Sequence, residues 1–234
     1  MRMQPSVTAL IPAAGSGERF GGEQNKILAD LLGRPVLGWT LEAFALCEEI
    51  ARIVLVGSES ETAVLWELGD RYAAGKLQAV VLGGSTRQES VRRGLDAVNT
   101  EYVLIHDAAR CCITPEQISE AVGATRVHQL MTFARPVTDT LMRRSGELLD
   151  RSELLAVETP QGFQTELLRR AHLSARSEGF VATDDASLLR RLGRNVHLLE
   201  STKPNPKITY AEDLLIAVAL LTARGVTAAP SATL

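Results

Sequence analysis

The chain has 234 residues, a formal net charge of −3, 45% hydrophobic residues and 4% aromatics. That length suits one large domain filled by aliphatic side chains, and the weakly acidic balance argues against a nucleic-acid or anionic-membrane surface, where a basic excess is expected. Met1-Arg2-Met3-Gln4-Pro5 lacks the apolar region of a secretory signal, and no apolar run approaches the ~20 residues that span a bilayer, so a cytoplasmic protein is expected.

The first apolar run, residues 7–11, reads as a buried strand. It leads straight into Pro12-Ala13-Ala14-Gly15-Ser16-Gly17-Glu18-Arg19, with Lys26 shortly after. Small side chains let backbone N–H groups approach a ligand, and the two cations suit phosphates. The loop is not a Walker A motif, because no Lys-Ser or Lys-Thr pair follows a second glycine at the required spacing. It is also a poor dinucleotide fingerprint: Gly15 and Gly17 fit, but Phe20 takes the third position. On the loop alone, a strand-to-helix turn that merely needs small residues explains the pattern nearly as well.

Amphipathic segments at residues 36–46, 61–74, 88–97 and 116–126 alternate with apolar runs at 53–56, 79–82, 102–105, 131–134 and 196–199. Strands alternating with helices predict an α/β domain with a mostly parallel sheet, which binds ligands beyond the carboxyl ends of its strands. The third strand is followed by Gly83-Gly84-Ser85-Thr86-Arg87-Gln88-Glu89-Ser90, a glycine turn with Ser85 or Thr86 placed to cap a helix and Ser90 one turn inside it. The fourth is followed by His106-Asp107-Ala108-Ala109-Arg110. There Asp107 can hold a divalent cation such as Mg²⁺, or simply pair with Arg110. His106 reads as structural.

Thr114-Pro115-Glu116-Gln117 is a capping box with proline at the first helical position. Residues 137–156 break the pattern and predict a projecting polar ribbon, with strands at 137–142 and 148–149 around Ser145-Gly146. Thr183-Asp184-Asp185 reads as a cap followed by two acids in a helical first turn. Lys203-Pro204-Asn205-Pro206-Lys207 can aim Lys207 from a stiffened loop. Thr209-Tyr210-Ala211-Glu212 suggests a last capping box, with Gly225 closing the helix and residues 226–234 forming a frayed tail. Residues 1–225 thus read as one domain. Cys47, Cys111 and Cys112 lack CxxC spacing, and the four histidines form no metal motif.

Taken in order, these stretches resemble the 2-C-methyl-D-erythritol 4-phosphate cytidylyltransferases of the non-mevalonate isoprenoid pathway. Pro136-Val137-x-Asp139-Thr140, Asp150-Arg151, Thr159-Pro160-Gln161-x-Phe163 and Lys207-Ile208-Thr209 extend the match over nearly the whole chain. The resemblance implies a Rossmann-like homodimer that exchanges its ribbon arms, and CTP, Mg²⁺ and a polyol phosphate as ligands. It implies Arg19, Lys26 and Lys207 as catalytic residues. Pro12, Ala13, Ala14, Gly15, Gly17, Gly84, Arg87, Ser90 and Ala108 fall at nucleotide positions. Asp107, Arg110, Thr140, Arg151 and Thr183 fall at substrate positions, with Asp107 also at the metal and with Thr140 and Arg151 donated by the partner subunit. Departures from the usual pattern are Asn25, where a proline commonly precedes the lysine, and Ile27, Cys111 and Pro206.

The expected chemistry is attack by a phosphate-monoester oxygen on the α-phosphorus of CTP. A monoester with a second pKa near ~6 is largely dianionic at neutral pH, so no side chain need remove a proton. The loop motifs do not separate 2-C-methyl-D-erythritol 4-phosphate from another polyol phosphate such as ribitol 5-phosphate. A non-catalytic nucleotide-binding scaffold would keep the loops without needing both lysines, and a dehydrogenase would need a better fingerprint than Phe20 allows.

Overall fold

The computed structural model describes residues 7–15, 20 and 25–227. The chain opens with β1 (Val7–Pro12), a 3₁₀ turn at Lys26–Leu28, and the small hairpin of β2 (Asp30–Leu31) and β3 (Arg34–Pro35). There follow α1 (Val36–Leu46), β4 (Ile50–Gly57), α2 (Thr62–Tyr72), β5 (Leu77–Leu82), α3 (Arg87–Leu95), β6 (Tyr102–Ile105) and α4 (Pro115–His128). The second half contains β7 (Leu130–Pro136), the ribbon β8 (Leu141–Met142) and β9 (Leu148–Leu149), and β10 (Leu155–Gln164). It ends with α5 (Thr165–Ser177), α6 (Asp185–Arg191), β11 (His197–Glu200) and α7 (Asp213–Ala223).

Seven strands form one sheet in the order β11-β7-β10-β6-β1-β4-β5. All neighbours are parallel except β10, which runs antiparallel to both β6 and β7. The central strands are apolar on both faces because helices cover both. Val7, Ala9 and Ile11 of β1 and Ile53 and Leu55 of β4 face a core shared with α1, α2, α4 and α7. Leu10, Val54, Val56, Val103 and Ile105 face the opposite core, built with α3, α5 and α6. From β1 the chain steps outward to β4 and β5, then crosses back to place β6 on the other side of β1. That reversal opens a crevice beyond the carboxyl ends of β1 and β6, the place where open α/β sheets bind ligands.

The mostly parallel α/β architecture is the one expected from the strand–helix alternation, but four local readings need correction. β10, the longest strand, has no counterpart among the expected strands. The anticipated first ribbon strand at 137–142 shrinks to Leu141–Met142, because Leu141 and Met142 alone pair with Leu149 and Leu148. The helix cap is Asp184 rather than Thr183: the Asp184 side chain accepts from the Ser187 amide at 3.1 Å. At α7 no Thr209–Glu212 box forms: Glu212 precedes the helix without a side-chain cap bond, and Asp213 instead folds the approach to it, accepting from Thr209 N at 2.7 Å and Tyr210 N at 2.9 Å. An aspartate's short carboxylate reaches nearby backbone N–H groups readily, so it competes well with a neighbouring threonine. The Thr114–Gln117 capping box is formed in full, Thr86 caps α3, and Gly225 follows α7 with φ +85°, a conformation that favours glycine.

Candidate active site

A cavity of about 620 Å³ occupies the crevice. One wall is the segment after β1: Pro12, Ala13, Ala14 and Gly15, with Lys26 from the 3₁₀ turn. Asn25 fixes that turn. Its Oδ1 accepts from Ile27 N at 3.3 Å, and its Nδ2 donates to Ala13 O at 3.3 Å and Glu61 Oε1 at 2.8 Å. Asn25 therefore ties the turn bearing Lys26 to the β1 loop through side-chain hydrogen bonds.

The opposite wall is the turn into α3. Ser90 lies beneath it, donating to Thr86 O at 2.9 Å and accepting from Gly84 N at 3.1 Å. Its hydroxyl shapes the turn from below. Close approach here requires glycine: a Cβ on Gly83 would stand 2.7 Å from the Ala14 Cβ, and one on Gly84 2.1 Å from the Glu89 Cγ. The two glycine-rich loops, far apart in sequence, thus meet as one cradle.

The floor carries the charge. Asp107 and Ala108 follow β6, and the Ala108 carbonyl is held by Thr40 Oγ1 of α1 at 3.0 Å. Asp107 Oδ1 accepts from Arg87 Nε at 3.0 Å, and Oδ2 from Lys207 Nζ at 2.7 Å. Arg87 also donates from Nη1 to Asp185 Oδ2 at 2.7 Å, and Asp185 in turn lies 3.2 Å from His172 Nε2. Burial alone would raise the Asp107 pKa; the adjacent Arg87 and Lys207, joined by Arg110, outweigh it and hold the carboxyl well below its ordinary value. For Arg87 burial works downward, and Asp185 and Asp107 overcome it to raise the guanidinium. Asp107 is therefore an anion, and Arg87 stays charged beside it.

Lys207 reaches this point because its segment is stitched to the floor. Ile208 N donates to Ala109 O at 2.9 Å, and Arg110 Nη1 donates to Asn205 O at 2.8 Å. His106 is fully buried and uses both ring nitrogens, Nε2 against Arg110 O at 3.1 Å and Nδ1 against Thr159 Oγ1 at 3.2 Å. Burial pushes its pKa down to about 4, which leaves a neutral structural imidazole.

The structure thus gathers Pro12, Ala13, Ala14, Gly15, Lys26, Gly84, Arg87, Ser90, Asp107, Ala108 and Lys207 around one cavity. Gly17 and Arg19 lie outside the described residues. Arg110 sits behind Asp107, its Nε 4.0 Å from Asp107 Oδ2. Thr140 and Arg151 are exposed at the ribbon, where Arg151 Nη1 donates to Thr138 O, and Thr183 is exposed before α6. None of these three lines the cavity within one chain. Asp185 and Thr159 are the supporting residues that spacing did not single out; their signal was only membership of longer matched stretches.

Among the described residues, Asp107 is the sole carboxylate lining the cavity, and no group of three or more His, Cys, Asp or Glu side chains could cage a metal. One carboxylate beside a cavity roomy enough for a polyphosphate fits Mg²⁺, which commonly binds through one or two carboxylates together with substrate phosphates.

A glycine-walled, cation-floored cavity at the switch point of a Rossmann-like sheet defines an α/β nucleotidyltransferase. The sequence profile described as IspD, 2-C-methyl-D-erythritol 4-phosphate cytidylyltransferase, matches residues 7–223. A relative from Synechococcus sp. (strain CC9902), named 2-C-methyl-D-erythritol 4-phosphate cytidylyltransferase, is 43% identical over 223 residues, covering 92% of this chain and 97% of the relative. The crystal structure of the protein of that name from Thermus thermophilus superposes with a TM-score of 0.76 at 34% identity, covering 92% of this chain and 98% of the other. That of the 4-diphosphocytidyl-2C-methyl-D-erythritol synthase from Anaerococcus prevotii gives 0.81 at 28% identity, covering 92% and 96%. The chain belongs to the 2-C-methyl-D-erythritol 4-phosphate cytidylyltransferase family.

Proposed function

We propose that this chain transfers a cytidylyl group from CTP to 2-C-methyl-D-erythritol 4-phosphate, giving 4-diphosphocytidyl-2-C-methyl-D-erythritol and pyrophosphate. Family membership supports the reaction, and the convergence of Lys26, Arg87 and Lys207 on one cavity carries the mechanism. The acceptor phosphate is already dianionic near neutral pH, so its oxygen attacks the α-phosphorus without a base. The neutral, fully engaged His106 agrees with that. The difficulty is bringing two anions together, and preorganised cations and loop N–H groups lower its cost as charge moves to the leaving pyrophosphate.

In this reading the base and ribose lie between the Ala13–Gly15 and Gly84–Ser90 walls. Lys26 and Lys207 face the α-phosphate, and Arg19 the triphosphate. Asp107 is the residue that would hold Mg²⁺, and the ion would supply positive charge to the triphosphate. Arg110 and Thr183 contact the acceptor, joined by Thr140 and Arg151 from the partner's arm. The homodimer is supported by the ribbon, a two-stranded projection with exposed Met142 and Leu148, which is marginal unless packed on something else. A cytoplasmic setting is part of the same proposal; among the described residues no helix is long and apolar enough to cross a membrane.

The test is a panel of phosphate acceptors with CTP as donor, followed by pyrophosphate release. 2-C-methyl-D-erythritol 4-phosphate is expected to be the preferred acceptor. A preference for ribitol 5-phosphate would replace the acceptor, and CTP binding without release would leave only a scaffold.

A further inference from the structure

On the side of Asp107 away from Arg87 lies a second charged group that does not line the cavity. Arg110 is 13% exposed, and its Nε is buried with no hydrogen-bond partner. A buried guanidinium N–H left unmatched is costly, so a bound anion that accepts from it relieves a real penalty. Behind Arg110 stands Glu158, 5% exposed, with Oε1 3.8 Å from Arg110 Nη1 and accepting from Arg135 Nε at 2.9 Å. Arg135 is 55% exposed. It lies opposite Ala156 across the β7–β10 ladder, so Glu158 is its diagonal neighbour on the same face.

The backbone explains why Glu158 reaches this spot. The β7–β10 register shifts between Glu158 and Gln161. In the irregular stretch Thr159 Oγ1 accepts from the Asp107 amide at 3.1 Å, and Thr159 O accepts from Asn205 Nδ2 at 3.3 Å. One short piece of β10 therefore braces the loop bearing Asp107 and Arg110 and also the segment leading to Lys207.

We propose that Arg135 is the counter-ion that keeps the buried Glu158 carboxylate from drawing Arg110 away from the acceptor phosphate, and so acts as a positioning residue for Arg110. The proposal rests on the reading above, in which the acceptor phosphate binds beside Arg110. With Arg135 present, the carboxylate is shared between two guanidiniums. Without it, Arg110 is, among the described residues, the cation left in an ion pair with Glu158, and a charge-assisted contact forms at the acceptor's expense.

The experiment compares native enzyme, R135A, E158Q and R135A/E158Q, measuring kcat and separate KM values for CTP and 2-C-methyl-D-erythritol 4-phosphate. Because R135A takes a charge-assisted bond from the buried Glu158, its melting temperature should fall, and the kinetics are measured well below it, where every variant is folded. R135A should raise the KM for the acceptor about tenfold, the size of one displaced charge-assisted contact. Its KM for CTP should stay within about twofold, since Arg110 does not line the nucleotide cavity. Adding E158Q should return the acceptor KM to within about threefold of native, because a neutral amide no longer competes for Arg110. A bystander role for the pair predicts no such rescue. An unchanged acceptor KM in R135A, a double variant as impaired as R135A, or an equal rise in the KM for CTP would overturn the proposal. Native turnover of the acceptor is the control: its absence refutes the proposed function, whereas its presence leaves the variants to judge Arg135 alone.

Discussion

Replacing Lys207 by alanine separates catalysis from stability. The Lys207 side chain is 36% exposed and, among the described residues, pairs with Asp107 Oδ2 at 2.7 Å. A partly exposed ion pair contributes about 0–1 kcal/mol to folding, and Asp107 keeps Arg87 at 3.0 Å when the lysine is gone. The fold should therefore lose no more than about 1 kcal/mol in urea titration. If Lys207 faces the charge that develops on the α-phosphate, the loss appears in the transition state: removing one such donor costs roughly 10²–10³ in kcat, about 2.7–4 kcal/mol. The assay is pyrophosphate release at saturating CTP, 2-C-methyl-D-erythritol 4-phosphate and Mg²⁺. A kcat within about threefold of native, with the fold intact, would refute the idea that this cation acts on the reacting phosphate.

Two further outcomes follow from particular groups. His106 has its pKa lowered from 6.5 to about 4, so between those values the unfolded chain binds the extra proton and stability falls as pH falls; about 2 kcal/mol should be lost between pH 7.5 and 5. Urea unfolding of H106N at the two pH values should show a correspondingly smaller drop, and a drop equal to native would remove His106 as its source. If the ribbons exchange between two subunits as proposed, M142D/L148D should give a monomer in sedimentation experiments and lose most turnover, because Thr140 and Arg151 would no longer reach the acceptor across the dimer; a fully active monomer would contradict arm exchange.

Much of the fold was legible because strands buried on both faces leave continuous apolar runs such as Leu10–Ile11 and Ile53–Val56, and because loops after strands collect glycine and charge. β10 was hidden for the opposite reason. Its buried stretch Glu158-Thr159-Pro160-Gln161-Gly162 is polar or small, and that burial is offset by specific partners rather than by apolar contact. Thr159 holds the Asp107 amide, while Gln161 donates to Asp184 at 2.6 Å and accepts from Asp185 N at 3.1 Å. No local periodicity announces such a strand. The cavity walls were readable from the glycine loops. The Arg87–Asp185 pair was not, since its members stand 98 residues apart and meet only after α3 and α6 pack on the same face of the sheet.

In the proposed reaction, converging positive charge lets a phosphate dianion displace pyrophosphate from CTP. Phosphorus-31 NMR of the native enzyme mixed with CTP, Mg²⁺ and 2-C-methyl-D-erythritol 4-phosphate tests it most directly. The monoester resonance should disappear while a coupled pair from a disubstituted diphosphate grows in step with free pyrophosphate. A spectrum in which the monoester persists, with CTP unchanged or merely hydrolysed to CMP, would contradict it.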